Sequence, residues 1–197
     1  MCRLFETIRI VEGEPQNLYL HDERMNRSRQ ILFGMSDHLK LSDYISVPDE
    51  AKSGNFRCRV TYAVTFSSIE FLPYIPAKIS TLKLVGAATL VYDHKYLDRK
   101  PLTALIDKSI ADDILVVQNA CITDASYANI VFTDGRQWIT PDKPLLCGTM
   151  RELLLRKGLI KKGKIQVDDL PRFTHFRLIN AMLGFDAPLL PVRNIIL

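Results

Sequence analysis

The feature that most constrains the fold is a period-two alternation of apolar residues in short segments bounded by turn signals. It is clearest in Phe56–Phe66, and this spacing is typical of a strand with one buried face. The alternating residues there are Val60, Tyr62, Val64 and Phe66. Further strands are predicted at Leu4–Val11, Ile69–Ile75, Leu82–Tyr92, Ile114–Val117 and Phe176–Asn180. The Asp134-Gly135 pair between Ile130–Phe132 and Gln137–Ile139 predicts a β-hairpin.

Helical segments lie between these strands. Leu20–Phe33 is amphipathic and ends at Gly34, a typical residue after a helix C-terminus. Leu102–Ile110 suits a second helix, and a third begins at Gly148-Thr149 and runs to about Lys157. From Pro171 a last helix or turn is expected. The sequence therefore predicts an α+β protein with two lobes, residues 1–91 and 92–197, because the pattern changes just before His94.

Composition excludes several classes of protein. Lys and Arg outnumber Asp and Glu by 26 to 22, and only Lys161-Lys162-Gly163-Lys164 clusters basic residues, which favours a solvated turn over a nucleic-acid surface. The four cysteines form no C-x-x-C pair and lie at no metal-ligand spacing, which argues against a structural zinc site. No apolar run approaches the roughly 20 residues of a membrane span. With no secretory signal, a cytoplasmic protein with reduced thiols is expected.

Four separated segments combine residue types that carry chemistry. They are Leu4–Arg9 with His21–Ser28, then His94–Arg99, then Ile122–Ile130, and finally Thr140-Pro141 with Pro144–Arg151. In this order they resemble the motifs of the class IV aminotransferase family, from its "FET-R" strand to its "G-x-x-R" helix start. The resemblance runs from about residue 4 to the end of the chain. It implies the two-lobed D-amino-acid aminotransferase-like fold (fold type IV), pyridoxal 5'-phosphate (PLP) as cofactor, and a homodimer.

Two cationic side chains are assigned roles by this resemblance. It implies that Lys95, in the C-terminal lobe, binds PLP covalently and transfers the substrate proton. A buried lysine beside positive charge loses its proton more easily. The resemblance also implies that Arg24 binds the cofactor phosphate, a task that suits the forked donors of a guanidinium. From local context alone, Lys95 is typical of a linker lysine and Arg24 of a helix surface.

The second half of the chain supplies the remaining cofactor contacts. Gly148 allows close approach of the backbone, and the resemblance implies that the amides of Thr149 and Met150 bind the phosphate at a helix N-terminus. The alternative is an N-cap by the Thr149 side chain. Asp124 occupies the position at which most family members have a Glu, and the resemblance implies that its carboxylate faces the pyridine nitrogen of the cofactor. Without the resemblance, Asp124 is typical of an aspartate in a turn. Asn129 matches the asparagine that steadies this hairpin.

Substrate specificity is expected to depend on the segment Asn180-Ala181-Met182. The resemblance implies that Ala181 contacts the cofactor and that Asn180 and Met182 contact the substrate. This segment and Lys95–Arg99 resemble the aminodeoxychorismate lyases more than the transaminases of the family. A Lys stands at position 100, where transaminases have Tyr. Arg59 is a candidate for a substrate carboxylate or, equally, a strand-edge arginine.

Three functions remain open from the sequence. The first is a PLP-dependent lyase that converts 4-amino-4-deoxychorismate to 4-aminobenzoate and pyruvate in folate synthesis. The second is an aminotransferase of branched-chain or D-amino acids that uses the same lysine. The third is a scaffold protein that either binds PLP with reduced catalytic activity or binds no cofactor. The chain begins almost at its "FET" motif, so the wall of the site that the family builds from the preceding segment is expected to be missing or supplied by a dimer partner. A small-molecule substrate is expected, with no nucleic acid and no membrane.

Overall fold

The structure, a computed structural model, describes residues 2–106 and 111–197. Contacts divide the chain into two compact units. The first contains the residues up to Pro76 together with His94–Asp98, and the second contains Ala77–Asp93 and the chain from Arg99 onward. The short segment that carries Lys95 thus folds with the N-terminal unit. The contacts place this division differently from the predicted one between residues 91 and 92, because a strand pairing described below joins residues 95–97 to the start of the chain.

The first unit is a four-stranded antiparallel sheet with a helix on one face. Its strands are β1 (Leu4–Val11), β2 (Glu14–Pro15), β3 (Asn55–Tyr62) and β4 (Phe66–Pro73), in the order β2-β1-β3-β4. The helix is α1 (Leu18–Phe33), and 3-10 turns form at Leu41–Asp43 and Asp49–Ala51. Ile8, Val60 and Met25 of α1 lie in one core cluster, so α1 covers the face that these strand residues share.

Helix α1 ends where the sequence predicts. Gly34 has φ 67°, the left-handed conformation that glycine adopts without strain. Its N–H donates to the Gln30 carbonyl at 3.0 Å, and the Met35 N–H donates to the Arg29 carbonyl at 3.3 Å. These two bonds satisfy carbonyls that the last helical turn would leave unpaired.

The second unit contains two sheets. Its first strands are β5 (Leu82–Gly86), β6 (Asp113–Gln118), β7 (Cys121–Ala125), β8 (Asn129–Thr133) and β9 (Trp138–Pro141). They are followed by β10 (Lys161–Gly163), β11 (His175–Ile179), β12 (Leu190–Pro191) and β13 (Ile195–Ile196). The sheet orders are β10-β9-β8-β11-β12 and β13-β5-β6-β7. One core cluster includes Leu115 of the smaller sheet and Phe132 and Phe176 of the larger, so the two sheets share a core.

Two helices complete this unit, α2 (Lys100–Ile106) and α3 (Thr149–Arg156), with 3-10 turns at Val167–Arg172 and Val192–Asn194. The helix predicted at Leu102–Ile110 begins two residues earlier, and its residues 107–110 lie outside the described part of the chain. None of the helices in residues 2–106 and 111–197 is long and apolar enough to cross a membrane.

Two predicted strands are shorter in the structure. The alternation from Phe56 to Phe66 is interrupted after Tyr62, where residues 63–65 turn the chain into the antiparallel partner β4. The strand predicted at Leu82–Tyr92 ends at Gly86. Beyond it the Gln118 side chain donates to the carbonyls of Ala87 (3.0 Å) and Leu90 (2.8 Å), so a side chain replaces the neighbouring strand as hydrogen-bond partner.

Candidate active site

Lys95 is anchored by backbone pairing to β1 rather than carried on a loose linker. Its carbonyl accepts a hydrogen bond from the Phe5 N–H at 3.0 Å, and the Leu97 N–H donates to the Arg3 carbonyl at 2.8 Å. The half-buried Lys95 ammonium lies 4.6 Å from the centroid of the Phe5 ring. A cation over an aromatic face is held electrostatically, so both backbone and ring fix the position of Nζ.

His94 ties the same segment to α1. Its Nδ1 lies 3.0 Å from the Ser28 hydroxyl, and its ring stacks edge-on against Tyr96 with 5.9 Å between the centroids. Both His94 and Ser28 are buried. The contact restricts the backbone immediately before the lysine, which limits the range of positions that Lys95 can reach.

A buried carboxylate, Glu6, holds Arg24 in place. Glu6 is fully buried on β1, and its Oε1 accepts from Arg24 Nε at 3.0 Å while its Oε2 accepts from Arg24 Nη2. His21 Nδ1 lies 2.6 Å from the same Oε2. A two-point contact of this kind fixes the plane of a guanidinium. Arg24 is thus a buried, oriented cation and not a helix-surface arginine.

The charges of this group follow from its geometry. Burial alone raises the pKa of Glu6, but the Arg24 charge and the His21 hydrogen bond outweigh burial and lower that pKa to about 2. Burial lowers the pKa of His21, against the pull of Glu6. A neutral His21 facing an ionised carboxylate must carry its hydrogen on Nδ1 and donate it. The three side chains therefore hold one negative and one positive charge away from solvent.

Glu6 and His21 were quoted in the sequence motifs but were given no role. The sequence contains a signal for them. Glu6 lies between Leu4 and Ile8 on the face of β1 that points into the core. A carboxylate at such a position needs a hydrogen-bonding or cationic partner. His21 and Arg24 lie three residues apart on α1, and residues at this spacing share a helix face.

Arg59 lies on the same aromatic ring as Lys95. Its guanidinium carbon is 4.9 Å from the Phe5 centroid, on the neighbouring strand β3. The structure therefore brings the predicted carboxylate-binding residue and the predicted cofactor lysine together through Phe5, a residue of the Leu4–Arg9 motif to which no role was assigned from the sequence.

Asp124 lies in the second unit, at the end of β7, and is 4% exposed. Its Oδ1 accepts from Asn129 Nδ2 at 2.8 Å and its Oδ2 accepts from the Leu146 N–H at 3.0 Å. Burial raises the pKa of Asp124 to about 6, although both hydrogen bonds act against that increase. Asn129 also donates to the Leu146 carbonyl at 2.8 Å, so it positions the carboxylate as well as the turn.

The start of α3 packs against Asn129. Gly148 occupies the N-cap position with an extended backbone, and no side chain in the described part of the protein caps this end. A Cβ on Gly148 would lie 2.0 Å from Asn129 Oδ1, so close approach, and not backbone strain, requires glycine here. The expected alternative of a Thr149 side-chain cap is wrong, because Thr149 is already the first helical residue.

Arg151, the arginine of the quoted helix motif, anchors α3. It is buried, its Nε donates to the Thr140 hydroxyl at 3.2 Å and its Nη2 to the Pro141 carbonyl at 2.7 Å. These bonds fix the helix start relative to β9. The backbone N–H groups of Thr149 and Met150 lie in the first turn, where an anion is favoured by the helix dipole.

Asn180 shapes a turn after β11. Its Oδ1 accepts from the N–H groups of Met182 (2.9 Å) and Leu183 (2.8 Å), and its Nδ2 donates to the Tyr127 carbonyl at 3.3 Å. Met182 is buried and Ala181 half-buried. The predicted contacts of these three residues with cofactor or substrate stay predictions.

These donor sets fit PLP. The aldehyde needs an amine, which the anchored Lys95 provides. The phosphate needs hydrogen-bond donors; the first unit offers the Arg24 guanidinium, and the second offers the backbone N–H groups at the start of α3. The pyridine nitrogen needs a buried carboxylate, as Asp124 is.

Comparison with known proteins agrees with this chemistry. The family model for class IV amino-transferases matches residues 3–195. A Haemophilus influenzae protein of uncharacterised function is 35% identical over 187 residues, covering 93% of this chain and 100% of that protein. A Haemophilus somnus 129PT crystal structure, provisionally assigned as a 4-amino-4-deoxychorismate lyase, has TM-score 0.87 and 32% identity, covering 94% of this chain and 98% of that one.

A Mesorhizobium loti crystal structure, provisionally assigned as an amino-acid aminotransferase, has TM-score 0.80 at 23% identity and covers 97% of this chain and 98% of its own. At that identity the likeness shows the fold alone. The predicted α+β fold type IV architecture is confirmed by these structures. The chain belongs to the class IV aminotransferase family, whose enzymes depend on PLP.

Proposed function

We propose that this protein is a PLP-dependent lyase that converts 4-amino-4-deoxychorismate to 4-aminobenzoate and pyruvate. Its similarity to the H. somnus protein over nearly the whole of both chains carries the choice of lyase. The segments Lys95–Arg99 and Asn180–Met182, which resemble the lyases, support it. Lys100, at the position of a transaminase tyrosine, points the same way.

Each residue has a role in this proposal. Arg24, oriented by Glu6, and the Thr149 and Met150 amides bind the phosphate. Asp124 keeps the pyridine nitrogen protonated, and Asn129 aims its carboxylate. When bound, PLP supplies an electron sink for the carbon that carries the substrate amine.

Lys95 performs the proton transfer. It accepts the proton from the amine-bearing carbon, for which its position against Phe5 provides a fixed base. The bond between the ring carbon and the enolpyruvyl oxygen then breaks, the ring becomes aromatic, and the three-carbon group leaves as pyruvate after its enol gains a proton. Atoms balance without net water, because 4-aminobenzoate and pyruvate together contain all the atoms of the substrate. Arg59 holds a substrate carboxylate near Lys95.

Borohydride reduction after addition of PLP, followed by peptide mass mapping, tests the cofactor role. We expect one pyridoxyl adduct, on Lys95, that disappears in Lys95→Ala and persists in Lys52→Ala, a change at an exposed surface ion pair. An adduct spread over surface lysines, or none, would contradict the proposal.

A product assay separates the activities. Equal amounts of pyruvate and 4-aminobenzoate from freshly prepared substrate are expected of the lyase. Conversion of the cofactor to pyridoxamine phosphate by a branched-chain or D-amino acid donor, without 4-aminobenzoate, would show an aminotransferase instead.

A further inference from the structure

His94 is a buried polar residue to which the proposed chemistry gives no role. It is 7% exposed, and the Ser28 hydroxyl, 3.0 Å from its Nδ1, belongs to a residue that is 3% exposed. Burying an imidazole and a hydroxyl costs free energy unless both are hydrogen-bonded, whereas an apolar pair of similar size has no such requirement. A hydrogen bond also fixes the direction in which two groups meet, so the His94–Ser28 pair orients the backbone that carries it.

The residues around Lys95 alternate between the two faces of the sheet. An antiparallel bridge joins Tyr96 to β1, so Lys95 shares a face with Phe5, over whose ring its ammonium lies. His94 and Tyr96 point to the other face. There His94 meets Ser28 of α1, and Tyr96 packs on the core cluster that α1 covers. The lysine is thus held by Phe5 on one face and by α1, through its two neighbours, on the other.

Helix α1 also carries Arg24, the proposed phosphate ligand. Ser28 follows Arg24 by four residues, which is about one helical turn or about 6 Å along the axis, and both side chains are buried. Glu6 fixes the guanidinium at one level of α1, and His94 meets the hydroxyl one turn further on. One helix therefore carries the partners of both segments.

Lys95 lies within electrostatic reach of the group around Arg24. Burial is the main reason that the pKa of His21 is lowered, and the charges of Arg24 and Lys95 act in the same direction. All of these residues belong to the same compact unit. The distance between the Lys95 amine and the Arg24 guanidinium therefore depends on how α1 holds the segment that carries the lysine.

We propose that His94 is a positioning residue for Lys95, because its contact with Ser28 sets where the lysine amine meets the aldehyde of PLP. This inference rests on the proposed function, in which Lys95 is the cofactor lysine. The amine and the aldehyde condense with loss of one water, and that bond forms readily only if Nζ stays within reach of the aldehyde carbon. His94 acts through the backbone of Lys95 and not on the cofactor itself.

Two probes separate the positioning of the lysine from binding of the phosphate and the ring. PLP can bond to Lys95, whereas pyridoxine 5'-phosphate has an alcohol in place of the aldehyde and cannot. The affinity of the full chain for each probe is measured by titration calorimetry. We expect the wild type to prefer PLP. Ser28→Ala and His94→Leu should reduce that preference about fivefold, the effect of one hydrogen bond, with unchanged affinity for pyridoxine 5'-phosphate.

His94→Asn is the rescue variant, because its carboxamide keeps a polar atom close to the place of Nδ1, and it should recover most of the preference. Thr133→Val is the matched control. It removes a buried hydroxyl of the second unit, which accepts from the Gly135 N–H at 3.0 Å, and it should leave the preference unchanged even if it lowers the unfolding temperature. Equal losses of affinity for both probes in Ser28→Ala would show a merely structural pair and contradict the proposal.

Lys95→Ala distinguishes failure of this inference from failure of the proposed function. The preference for PLP should disappear in Lys95→Ala, and adding Ser28→Ala should then have no further effect on it. A preference that is lost in Lys95→Ala but unchanged in Ser28→Ala and His94→Leu would overturn the positioning role alone. A preference that survives Lys95→Ala would overturn the cofactor role of this lysine, and the inference with it.

Discussion

At the scale of single residues, two buried carboxyl groups show how partners decide charge. Glu6 meets a guanidinium and an imidazole, and its pKa falls to about 2. Asp124 is equally enclosed but accepts from a backbone amide and a carboxamide, which are neutral, and its pKa rises to about 6. Burial is common to both. The Arg24 charge in direct contact with Glu6 outweighs it, whereas the Arg151 charge, which also lowers the pKa of Asp124, does not.

These shifts predict opposite effects of pH on the stability of the cofactor-free protein. Between pH 3.8 and about 6 native Asp124 keeps a proton that the unfolded chain releases, so the free energy of unfolding should fall as pH rises, by up to about 1.4 kcal/mol per pH unit. Glu6 contributes stability that is present above pH 4.5 and is lost as pH falls towards about 2.

Urea unfolding from pH 4 to 7 measures the Asp124 effect. As pH rises over this range, the free energy of unfolding of the wild type should fall relative to that of Asp124→Asn, which isolates the Asp124 effect from other groups such as His21. Relative to Asp168→Asn, a change at a carboxyl in the Val167–Arg172 turn, it should stay constant. Identical pH profiles for the wild type and Asp124→Asn would contradict the assigned pKa.

At the scale of elements, the hairpin of β7 and β8 and the start of α3 form one hydrogen-bonded group. Asn129 joins them by donating to Asp124 and to the Leu146 carbonyl while its Oδ1 faces Gly148. The glycine of the motif is therefore required by a side chain on a different element.

Gly148→Ala should displace the Asn129 carboxamide and cost about 1 to 3 kcal/mol of unfolding free energy, because the new Cβ overlaps a well-packed group. PLP affinity, measured by the absorbance of the bound cofactor, should also decrease. The matched control is Gly86→Ala, where a Cβ meets nothing within 4 Å.

A double variant checks the cause. Asn129→Ala removes the group that Gly148→Ala strikes, so the two changes together should cost less than the sum of their separate effects. Strict additivity would show that the contact between Gly148 and Asn129 has no energetic weight.

At the scale of the whole molecule, the family resemblance implies two copies of this chain. We propose that the protein is a homodimer, and light scattering of the PLP-loaded protein should give twice the 22.5 kDa mass of one chain. Dilution should reduce PLP retention if the partner completes the site. A single-chain mass with full PLP occupancy would contradict the proposal.

The sequence by itself determined the local elements and the family. Period-two alternation from Phe56 predicted β3, the strand candidate Leu4–Val11 became β1, and the Asp134-Gly135 signal predicted the hairpin of β8 and β9, because all three depend on residues near one another in the chain. Gly34 likewise ended α1. The ordered motifs predicted the family and its fold, although no single motif was sufficient.

Only the tertiary structure decided which distant residues meet. The pairing of Arg9 with Arg57, the anchoring of Lys95 on Phe5 and the contact between Gly148 and Asn129 all join separate elements. Strand register and side-chain packing set these contacts, and neither is encoded in a local pattern. Glu6 is explained in the same way. The sequence shows a carboxylate among the apolar residues on the core-facing side of β1, but only the fold brings Arg24 and His21 to it as the partners that stabilise its burial.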